Sequence, residues 1–319
     1  MQSFLFESSL SEAMRTTVLP RINAVRKEGA FLGFDGTPLP YSRYSAPNAR
    51  GTVLILHGFT ECREKYAELI YYFLCADLSV LIYDQRGHGS SPRTVREQLI
   101  HVDRFEDYVN DLEAFLDQVL SKESSPLYLY AHSMGGAVGA LYLERGTHPF
   151  RKAILTSPMI ATRHGPIPHL LAEGICHLLA LLGQSKRRIF VMREPDRVPG
   201  PIERSSMLSP ARFAVWNKIR RNRPYCGNAA ATVGWTRASL GVTRKILKKG
   251  APEGIEIPVR IYAAEREHLV RLDAQAELAA RVPQGELQMI AGSKHEIYAA
   301  TDDILHPYLE SVLSFFEVE

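Results

Sequence analysis

Short apolar runs and longer amphipathic stretches alternate along most of this chain. A short run that is apolar at every position is typical of a strand buried on both faces of a parallel sheet, whereas apolar residues three and four apart predict a helix. The pattern predicts strands near residues 52–56, 79–83, 127–131, 152–156, 258–263 and 287–290, and helices near 63–76, 102–120, 134–145, 271–281 and 303–317. This order predicts an α/β fold with a mostly parallel central sheet and helices on both faces.

Two regions break the alternation. Residues 1–30 show no strand pattern, so we expect a helical or irregular N-terminal extension with little catalytic importance. Residues 160–250 lie between the strands that end before Ser157 and begin at Pro258, and strand patterns are missing there. The sequence therefore predicts a core made of residues 1–159 and 251–319, with residues 160–250 inserted as a helical cap.

The strand near residues 127–131 ends in a turn that suits a nucleophilic serine. The chain reads His132-Ser133-Met134-Gly135-Gly136 and continues with the small residues of a helix. A sharp turn from strand to helix strains the backbone at the serine, so small residues are needed two positions away on each side. Ala131 and Gly135 occupy these positions, although glycine is usual at the first. Ser133 is the predicted nucleophile, and a buried serine at a glycine-rich helix start is the alternative.

The strand near residues 52–56 leads into His57-Gly58-Phe59-Thr60. In a hydrolase with this kind of turn, a loop after such a strand gives one backbone N–H to the oxyanion, and the residue after the nucleophile gives the other. We therefore predict that Phe59 and Met134 form the oxyanion hole. His57 is interpreted as a structural residue of this loop, because a better candidate for the base follows downstream.

The predicted base is His295, which follows a short strand and precedes the last helix. In hydrolases whose serine lies on such a turn, the nucleophile, the acid and the histidine follow one another along the chain, and His295 fits this last position. The acid should follow the strand that ends at Ala264, and Glu267 stands three residues further on, with Leu269-Val270 behind it. Asp273 is the rival acid, but an acidic residue at a helix start is ordinary. We favour Glu267.

Four motifs occur in an order that resembles a known family: His57-Gly58-Phe59, Asp84–Ser91, His132–Gly136 and Lys294-His295-Glu296-Ile297. Together they are similar to the α/β-hydrolase family, in the branch of bacterial lysophospholipases and monoacylglycerol lipases. The likeness covers about residues 30–317. Asp84 and Arg86 are interpreted as structural groups that hold a tight glycine-rich turn.

The resemblance implies a serine ester hydrolase that acts on single-chain lipids and requires no metal or organic cofactor. The favoured interpretation is a lysophospholipase that releases a fatty acid. Glu267 and the segments Ser206–Ser209 and Gly234-Trp235 resemble the lysophospholipases more closely than the monoacylglycerol lipases. A monoacylglycerol lipase or a general carboxylesterase is the alternative. A catalytically inactive hydrolase fold that serves as a binding protein is less favoured, because all three triad positions are filled.

Composition agrees with a large domain that carries an insertion, with 319 residues, 45% of them hydrophobic and 23% charged. The start of the chain lacks the basic and apolar segments of a leader peptide, and no apolar run approaches the ~18 residues needed to span a membrane. Cys62, Cys75, Cys176 and Cys226 show no metal or redox spacing. We therefore expect reduced thiols and a cytoplasmic protein. The sequence does not determine the oligomeric state.

Charge is distributed unevenly along the chain. Residues 160–250 contain 17 Lys and Arg and four Asp and Glu, a net charge of +13, so the chain total of +3 leaves −10 for the remainder. Two roles for these basic residues are equally favoured: an ordinary solvated surface, and contact with anionic lipid at the inner face of the membrane. Nucleic-acid binding is not expected, because no recognition motif accompanies the charge. An arginine near the pocket would suit a phosphate group, and the candidates are Arg220, Arg221, Arg223 and Arg237.

Overall fold

The computed structural model of the chain describes residues 4–95, 98–121, 125–163, 167–192, 200–223, 225–226 and 230–317. The strands are β1 (Arg26–Leu32), β2 (Pro38–Tyr44), β3 (Gly51–Leu56), β4 (Leu78–Tyr83), β5 (Leu99–Ile100), β6 (Leu127–His132), β7 (Phe150–Thr156), β8 (Ala230–Ala231), β9 (Val259–Ala264) and β10 (Gly285–Ile290). The main helices are α1 (Leu10–Ala13), α2 (Leu19–Ala24), α3 (Ala67–Cys75), α4 (Glu106–Phe115), α5 (Met134–Leu143), α6 (His169–Leu179), α7 (Pro210–Asn222), α8 (Val233–Ile246), α9 (Leu272–Arg281) and α10 (Asp302–Phe316).

Eight of these strands form one sheet in the order β1-β2-β4-β3-β6-β7-β9-β10. The pairs from β4 through β10 are parallel, whereas β2 pairs antiparallel with both β1 and β4. Both faces are covered, because alternate residues of β3 enter different cores. Leu54 and Leu56 pack with α4 and α5, while Val53 and Ile55 pack with α3 and α10. The α/β architecture predicted from the sequence is therefore confirmed.

The six predicted strands are β3, β4, β6, β7, β9 and β10, with ends within two residues of the prediction. The sequence missed β1 and β2. Strand β1 lies at the edge of the sheet and reads Arg-Lys-Glu-Gly before its first apolar residues, and β2 contains Pro38 and Pro40. Charged residues and prolines count against a strand in a sequence pattern, although the edge of a sheet tolerates both.

The N-terminal extension is an integral part of the fold. Its helical segments run from Leu10 to Ala24, and the edge strand β1 already begins at Arg26. Leu10, Met14 and Val18 are buried in the same core as α3 and α10. The expected helical extension is therefore present, but it ends before residue 30 and packs tightly.

The described part of residues 160–250, here called the cap segment, is mainly helical. Helices α6 and α8 pack against each other, and α7 contacts α1 on another side of the molecule. The division into a core and a separate cap domain stays a prediction. Four of the charged residues counted above, Arg193, Glu194, Asp196 and Arg197, lie outside the described residues. Among the helices that are described, none has the length and apolar character needed to cross a membrane.

The expectation of four reduced thiols is wrong for two cysteines. Cys62 and Cys226 form a disulfide across 164 residues of sequence, while Cys75 and Cys176 are free. Sequence spacing gave no sign of this bond, because folding alone brings the loop after β3 beside the turn after α7. Glu64 lies near both sulfur atoms, with all three potential ligand atoms within 4.8 Å. Since both sulfurs belong to the disulfide, they offer no thiolate to a metal ion.

Candidate active site

Ser133 occupies the sharp turn between β6 and α5. Its φ of 51° lies in the left-handed region that a residue with a side chain rarely adopts. The backbone is held there by a hydrogen bond from the N–H of Ser133 to the carbonyl of Thr156, 3.1 Å long. Gly135 is required nearby, because a Cβ at this position would lie 2.3 Å from the carbonyl oxygen of Leu56. The turn therefore presents the serine hydroxyl at the carboxyl edge of the sheet.

Three side chains predicted from the sequence meet at this turn in one hydrogen-bonded line. Nε2 of His295 lies 2.8 Å from Oγ of Ser133, and Nδ1 of His295 lies 2.6 Å from Oε2 of Glu267. Glu267 comes from the loop after β9 and His295 from the loop after β10. All three residues are buried. This is the geometry in which an imidazole can take a proton from a hydroxyl while a carboxylate orients it.

The loop around Glu267 stabilises its carboxylate form. Oε1 accepts hydrogen bonds from the backbone N–H groups of His268 and Leu269, each 2.8 Å long, and from that of Val270. Burial raises the pKa of Glu267, but the hydrogen bond and charge of His295 together with the backbone N–H groups outweigh burial and lower it. Glu267 is therefore ionised and able to pair with an imidazolium.

Asp273, the rival acid, does not reach this line of side chains. It lies near the start of α9, where it is exposed and accepts a 3.0 Å hydrogen bond from Nε of Arg271. That hydrogen bond lowers the pKa of Asp273. Its partner is a neighbouring surface residue, and the structure does not bring it to His295.

The loop after β3 brings Phe59 beside the same turn. Within the described part of the chain, neither the N–H of Phe59 nor that of Met134 donates a hydrogen bond to another residue. Met134 is the first residue of α5, where an N–H has no partner inside the helix. Phe59 lines the pocket that contains Ser133, and Met134 directly follows Ser133 in the chain. Both N–H groups are therefore available to a negatively charged oxygen.

His57 has a structural role in this loop, as its sequence position indicated. Its Nε2 accepts a 2.9 Å hydrogen bond from the N–H of Gln85, which leaves the proton on Nδ1, 2.8 Å from the carbonyl of Gly58. Burial lowers the pKa of His57 and favours the neutral ring. The imidazole therefore joins the loop after β3 to the loop after β4.

The Asp84–Ser91 motif also serves the backbone. Asp84 accepts 2.9 Å hydrogen bonds from the N–H groups of Arg63 and Ser90, and its side chain is inaccessible to solvent. Gly89 has a φ of 48°, and a Cβ there would lie 2.2 Å from Cγ of Asp84. Arg86 donates to both Asp35 and Asp111. These contacts support the interpretation that the motif holds a tight turn.

A buried charged network beside the triad was missed by the sequence analysis. Oε2 of Glu61 accepts a 2.6 Å hydrogen bond from the N–H of Gly58, and its Oε1 accepts a 2.7 Å bond from Nζ of Lys65. Lys65 also lies 2.7 Å from Glu296, and the hydroxyl of Tyr298 donates to Glu61. The charges alternate and the polar atoms are paired, which is the arrangement that allows ions to be buried.

Electrostatics keep this network charged. Burial raises the pKa of Glu61, yet the ammonium group of Lys65 and neighbouring donors hold that pKa well below its usual value. Burial lowers the pKa of Lys65, but Glu296 and Glu61 raise it overall. Burial lowers the pKa of His132 to about 3, so this ring beside the nucleophile is neutral. The only signal in the sequence was Glu61 and Lys65 close behind the His57 motif.

A pocket of about 420 Å³ opens above Ser133, lined by α6, α8 and the loops after β7 and β9. Its walls are mainly apolar, and the ring centroids of Phe59 and Trp235 lie 4.1 Å apart with the rings tilted by 35°. Arg163 is the one charged side chain among the described residues that line it. The pocket therefore suits an apolar chain whose reactive group reaches Ser133.

The four predicted phosphate-binding arginines do not line this pocket. Arg220, Arg221 and Arg223 belong to α7 or its end, which packs on the N-terminal helices instead of over Ser133. Arg237 points away from the pocket and donates to the carbonyl of Asp103, 3.2 Å away. Its neighbours on α8, Trp235, Thr236, Ser239 and Leu240, form the pocket wall. The structure does not bring these four arginines to the pocket, and charge counting could not show this because it does not show which side of a helix faces the site.

Comparison with known proteins gives a consistent result. Residues 47–302 match the family described as serine aminopeptidase, S33 (Hydrolase_4). A probable lysophospholipase L2 from Haemophilus influenzae is 31% identical over 273 residues, which cover 85% of each chain. Lysophospholipase L2 from Escherichia coli strain K12 is 31% identical over 309 residues, which cover 91% of this chain and 87% of that protein.

Among solved structures, a soluble variant of the Saccharomyces cerevisiae monoglyceride lipase, in complex with a substrate analogue, has a TM-score of 0.73. The alignment covers 91% of this chain and 94% of the other at 20% identity. At this level of identity, the similarity concerns the fold.

Proposed function

The chain belongs to the serine aminopeptidase, S33 family and has the α/β-hydrolase fold, and we propose that it is a serine ester hydrolase acting on lysophospholipids. The observation that carries the proposal is the hydrogen-bonded line of Ser133, His295 and Glu267 at the base of an apolar pocket. The curated relatives with the name lysophospholipase L2 match over most of their length, which supports this substrate class.

In the proposed mechanism, Ser133 attacks the ester carbonyl of the lipid. Nε2 of His295 takes the hydroxyl proton and then gives it to the departing alcohol oxygen. Glu267 holds the ring and stabilises the imidazolium, while its own charge is maintained by backbone N–H groups. Water then attacks the acyl-enzyme, with His295 as the base, and releases the fatty acid.

The tetrahedral intermediate carries a negative oxygen that needs hydrogen-bond donors. We assign this role to the N–H groups of Phe59 and Met134, which have no acceptor among the described residues. Loss of one such donor typically costs about 10²–10³ in kcat. Glu61 supports this arrangement, because its carboxylate binds the N–H of Gly58 directly before Phe59.

The first experiment is labelling with a fluorophosphonate followed by a hydrolysis panel. Wild-type protein should form one adduct at Ser133, and Ser133→Ala should form none while keeping its circular dichroism spectrum. The panel compares a lysophospholipid, a monoacylglycerol of the same acyl chain and a short p-nitrophenyl ester. Folded wild-type protein without an adduct would show that the chain is a binding protein instead of an enzyme.

A monoacylglycerol lipase is the second candidate. The described pocket lining contains a single charged side chain, and an apolar pocket also accepts a lipid with a neutral head group. Higher kcat/KM for monoacylglycerol than for lysophospholipid in the panel would replace the first proposal with this one.

We further propose that the cap segment docks on anionic membrane. Large apolar side chains stand exposed on α6 and its extension, and Leu170 and Leu181 are 76% and 72% exposed. Phe190 and Val191 are also exposed and line the pocket, so the apolar surface is continuous with its entrance. Exposed apolar patches of this kind mark protein or membrane interaction sites. The basic run Lys186-Arg187-Arg188 lies in the chain between these exposed leucines and Phe190. Each basic residue near an anionic surface contributes about 1 kcal/mol to binding.

A further inference from the structure

Arg163 lies on the rim of the pocket in the loop after β7. Its backbone N–H donates to the carbonyl of Leu269 over 2.8 Å, and its Nε donates to the carbonyl of Val270 over 3.2 Å. Thr162 forms a bridge with Val270 as well. The loop after β7 is thereby joined to the loop that carries Glu267, and both line the pocket together with Ser133. The base of the guanidinium is fixed, which orients the remaining donors.

The charge of Arg163 is not neutralised by the described residues. No carboxylate of that set lies within ion-pair distance of it, and its two terminal nitrogens have no hydrogen-bond partner there. The side chain is exposed at the pocket rim. A planar guanidinium with two free nitrogens matches two oxygens of a phosphate, and such charge-assisted bonds are stronger than neutral ones.

The chemistry of the proposed reaction fixes the side on which a head group must leave. The departing oxygen takes its proton from Nε2 of His295, so the alcohol portion of the lipid leaves beside His295. Glu267 holds the other nitrogen of that ring from the loop to which Arg163 is bonded. Arg163 is bonded to the same loop and lines the same pocket as Ser133, so a phosphate on the departing alcohol leaves through a pocket whose described lining carries this one cation.

Lys65, another cation near the triad, is unsuited to this task. Nζ of Lys65 lies between Glu61 and Glu296, each 2.7 Å away, so its group of three charges is net negative. Two carboxylates beside one ammonium repel a phosphate. The carboxylates of Glu61 and Glu296 can instead accept hydrogen bonds from uncharged hydroxyl groups.

We propose that Arg163 binds the phosphate of the lysophospholipid head group and sets the preference for this substrate over monoacylglycerol. The inference rests on the proposed lysophospholipase function. In this role Arg163 takes the place of the arginines on α7 and α8. The sequence showed how many basic residues the cap segment contains, but not which way their side chains point.

The test measures the ratio of kcat/KM for a lysophospholipid to kcat/KM for a monoacylglycerol of equal chain length. Both substrates are short-chain and are used below their micelle concentration, so that membrane recruitment plays no part. In Arg163→Gln this ratio should fall ~10- to 150-fold, as expected for a lost charge-assisted bond. Arg163→Lys keeps the charge without the planar pair of donors, and its ratio should be intermediate.

Arg237→Gln is the matched control, because it removes a cap arginine that does not line the pocket. Its ratio should equal that of wild type. Glycerol 3-phosphate should inhibit wild-type hydrolysis of a p-nitrophenyl ester more strongly than it inhibits hydrolysis by Arg163→Gln. This second measurement does not depend on turnover of either lipid.

The outcomes separate this inference from the proposed function. Wild-type protein that cleaves lysophospholipid with a ratio unchanged in Arg163→Gln would overturn the role of Arg163 and leave the enzyme assignment standing. Wild-type protein that does not cleave lysophospholipid would overturn the proposed function itself. An equal fall in Arg237→Gln would show a general effect of cap charge and would also overturn the role of Arg163.

Discussion

The core and the cap segment differ in how well sequence position predicts spatial position. In the core, each loop that carries Ser133, Glu267 or His295 leaves the carboxyl end of a parallel strand, and these ends meet at one edge of the sheet. In the cap segment, 17 basic residues are evident in the sequence, yet none of the four arginines predicted to bind phosphate lines the pocket. A parallel sheet converts chain order into geometry, and a group of surface helices does not.

The largest expected effect concerns the acid of the core. Glu267→Gln should fold normally and lose about 10²–10⁴ in kcat, because a neutral amide cannot stabilise the imidazolium. Steady-state kinetics on a soluble short ester would measure the loss without any contribution from membrane binding.

Asp273→Asn is the matched control for that variant. Asp273 is exposed and pairs with Arg271, so its kcat should remain near that of wild type. If Asp273→Asn lost activity and Glu267→Gln did not, the register assigned to the loop after β9 would be wrong, and the core would be no more predictable than the cap segment.

The next effect concerns the buried charges of the core. Glu61→Gln removes the charged acceptor of the hydrogen bonds from Lys65 and Gly58, while Lys65 keeps Glu296 as a partner. It should lower the free energy of unfolding at pH 7 by about 3 kcal/mol. Urea unfolding at several pH values would measure it. The pKa of Glu61 is held well below its usual 4.5 in the folded chain, so its contribution is full above that value and is lost as the pH falls through the lower folded pKa.

Wild type and Glu61→Gln should therefore converge in stability toward low pH. The control is Glu12→Gln, which removes an exposed carboxylate of α1. A constant difference between wild type and Glu61→Gln down to low pH would show that the variant acts through packing and not through the charge of Glu61.

A third prediction concerns the covalent link between the two regions. The Cys62–Cys226 disulfide joins the loop of Glu61 to the turn after α7. Its removal in Cys62→Ala/Cys226→Ala should cost ~2–5 kcal/mol, since a long loop is no longer closed in the unfolded chain. Thermal unfolding of wild type should shift to lower temperature with dithiothreitol, and the double variant should be insensitive to it. Cys75→Ser, which removes a free thiol, should respond to dithiothreitol as wild type does.

The smallest effect concerns the surface of the cap segment. Leu170→Asp/Leu181→Asp should weaken binding to vesicles rich in anionic lipid by about tenfold or more, because each exposed leucine contributes apolar area at the interface. Leu32→Asp is the control, since Leu32 is 55% exposed on the distant edge strand β1. Vesicle sedimentation would measure binding. The docking proposal would be contradicted if the double variant bound anionic vesicles as well as Leu32→Asp does. It would also be contradicted if wild type bound neutral and anionic vesicles equally.

Particular residues show how far sequence reasoning reached. The turn at Ser133 was predictable because its small neighbours are required by a close approach, which Gly135 and Leu56 display. Glu267 was predictable from its distance to the end of β9. Strand β2 was missed because its prolines oppose a strand pattern, and the Glu61–Lys65–Glu296 network was missed because its members are far apart in sequence or look like ordinary surface charges.

The sequence by itself determined the alternating sheet and helices, the strained serine turn, the positions of the histidine and the acid, and the excess charge of the cap segment. These properties depend on local periodicity, chain order and composition. The tertiary structure alone decided that Cys62 meets Cys226, that Lys65 is buried between two carboxylates and that Arg163 reaches the pocket while Arg237 does not. Such contacts depend on how distant segments pack, because direction and proximity arise only when the chain is folded.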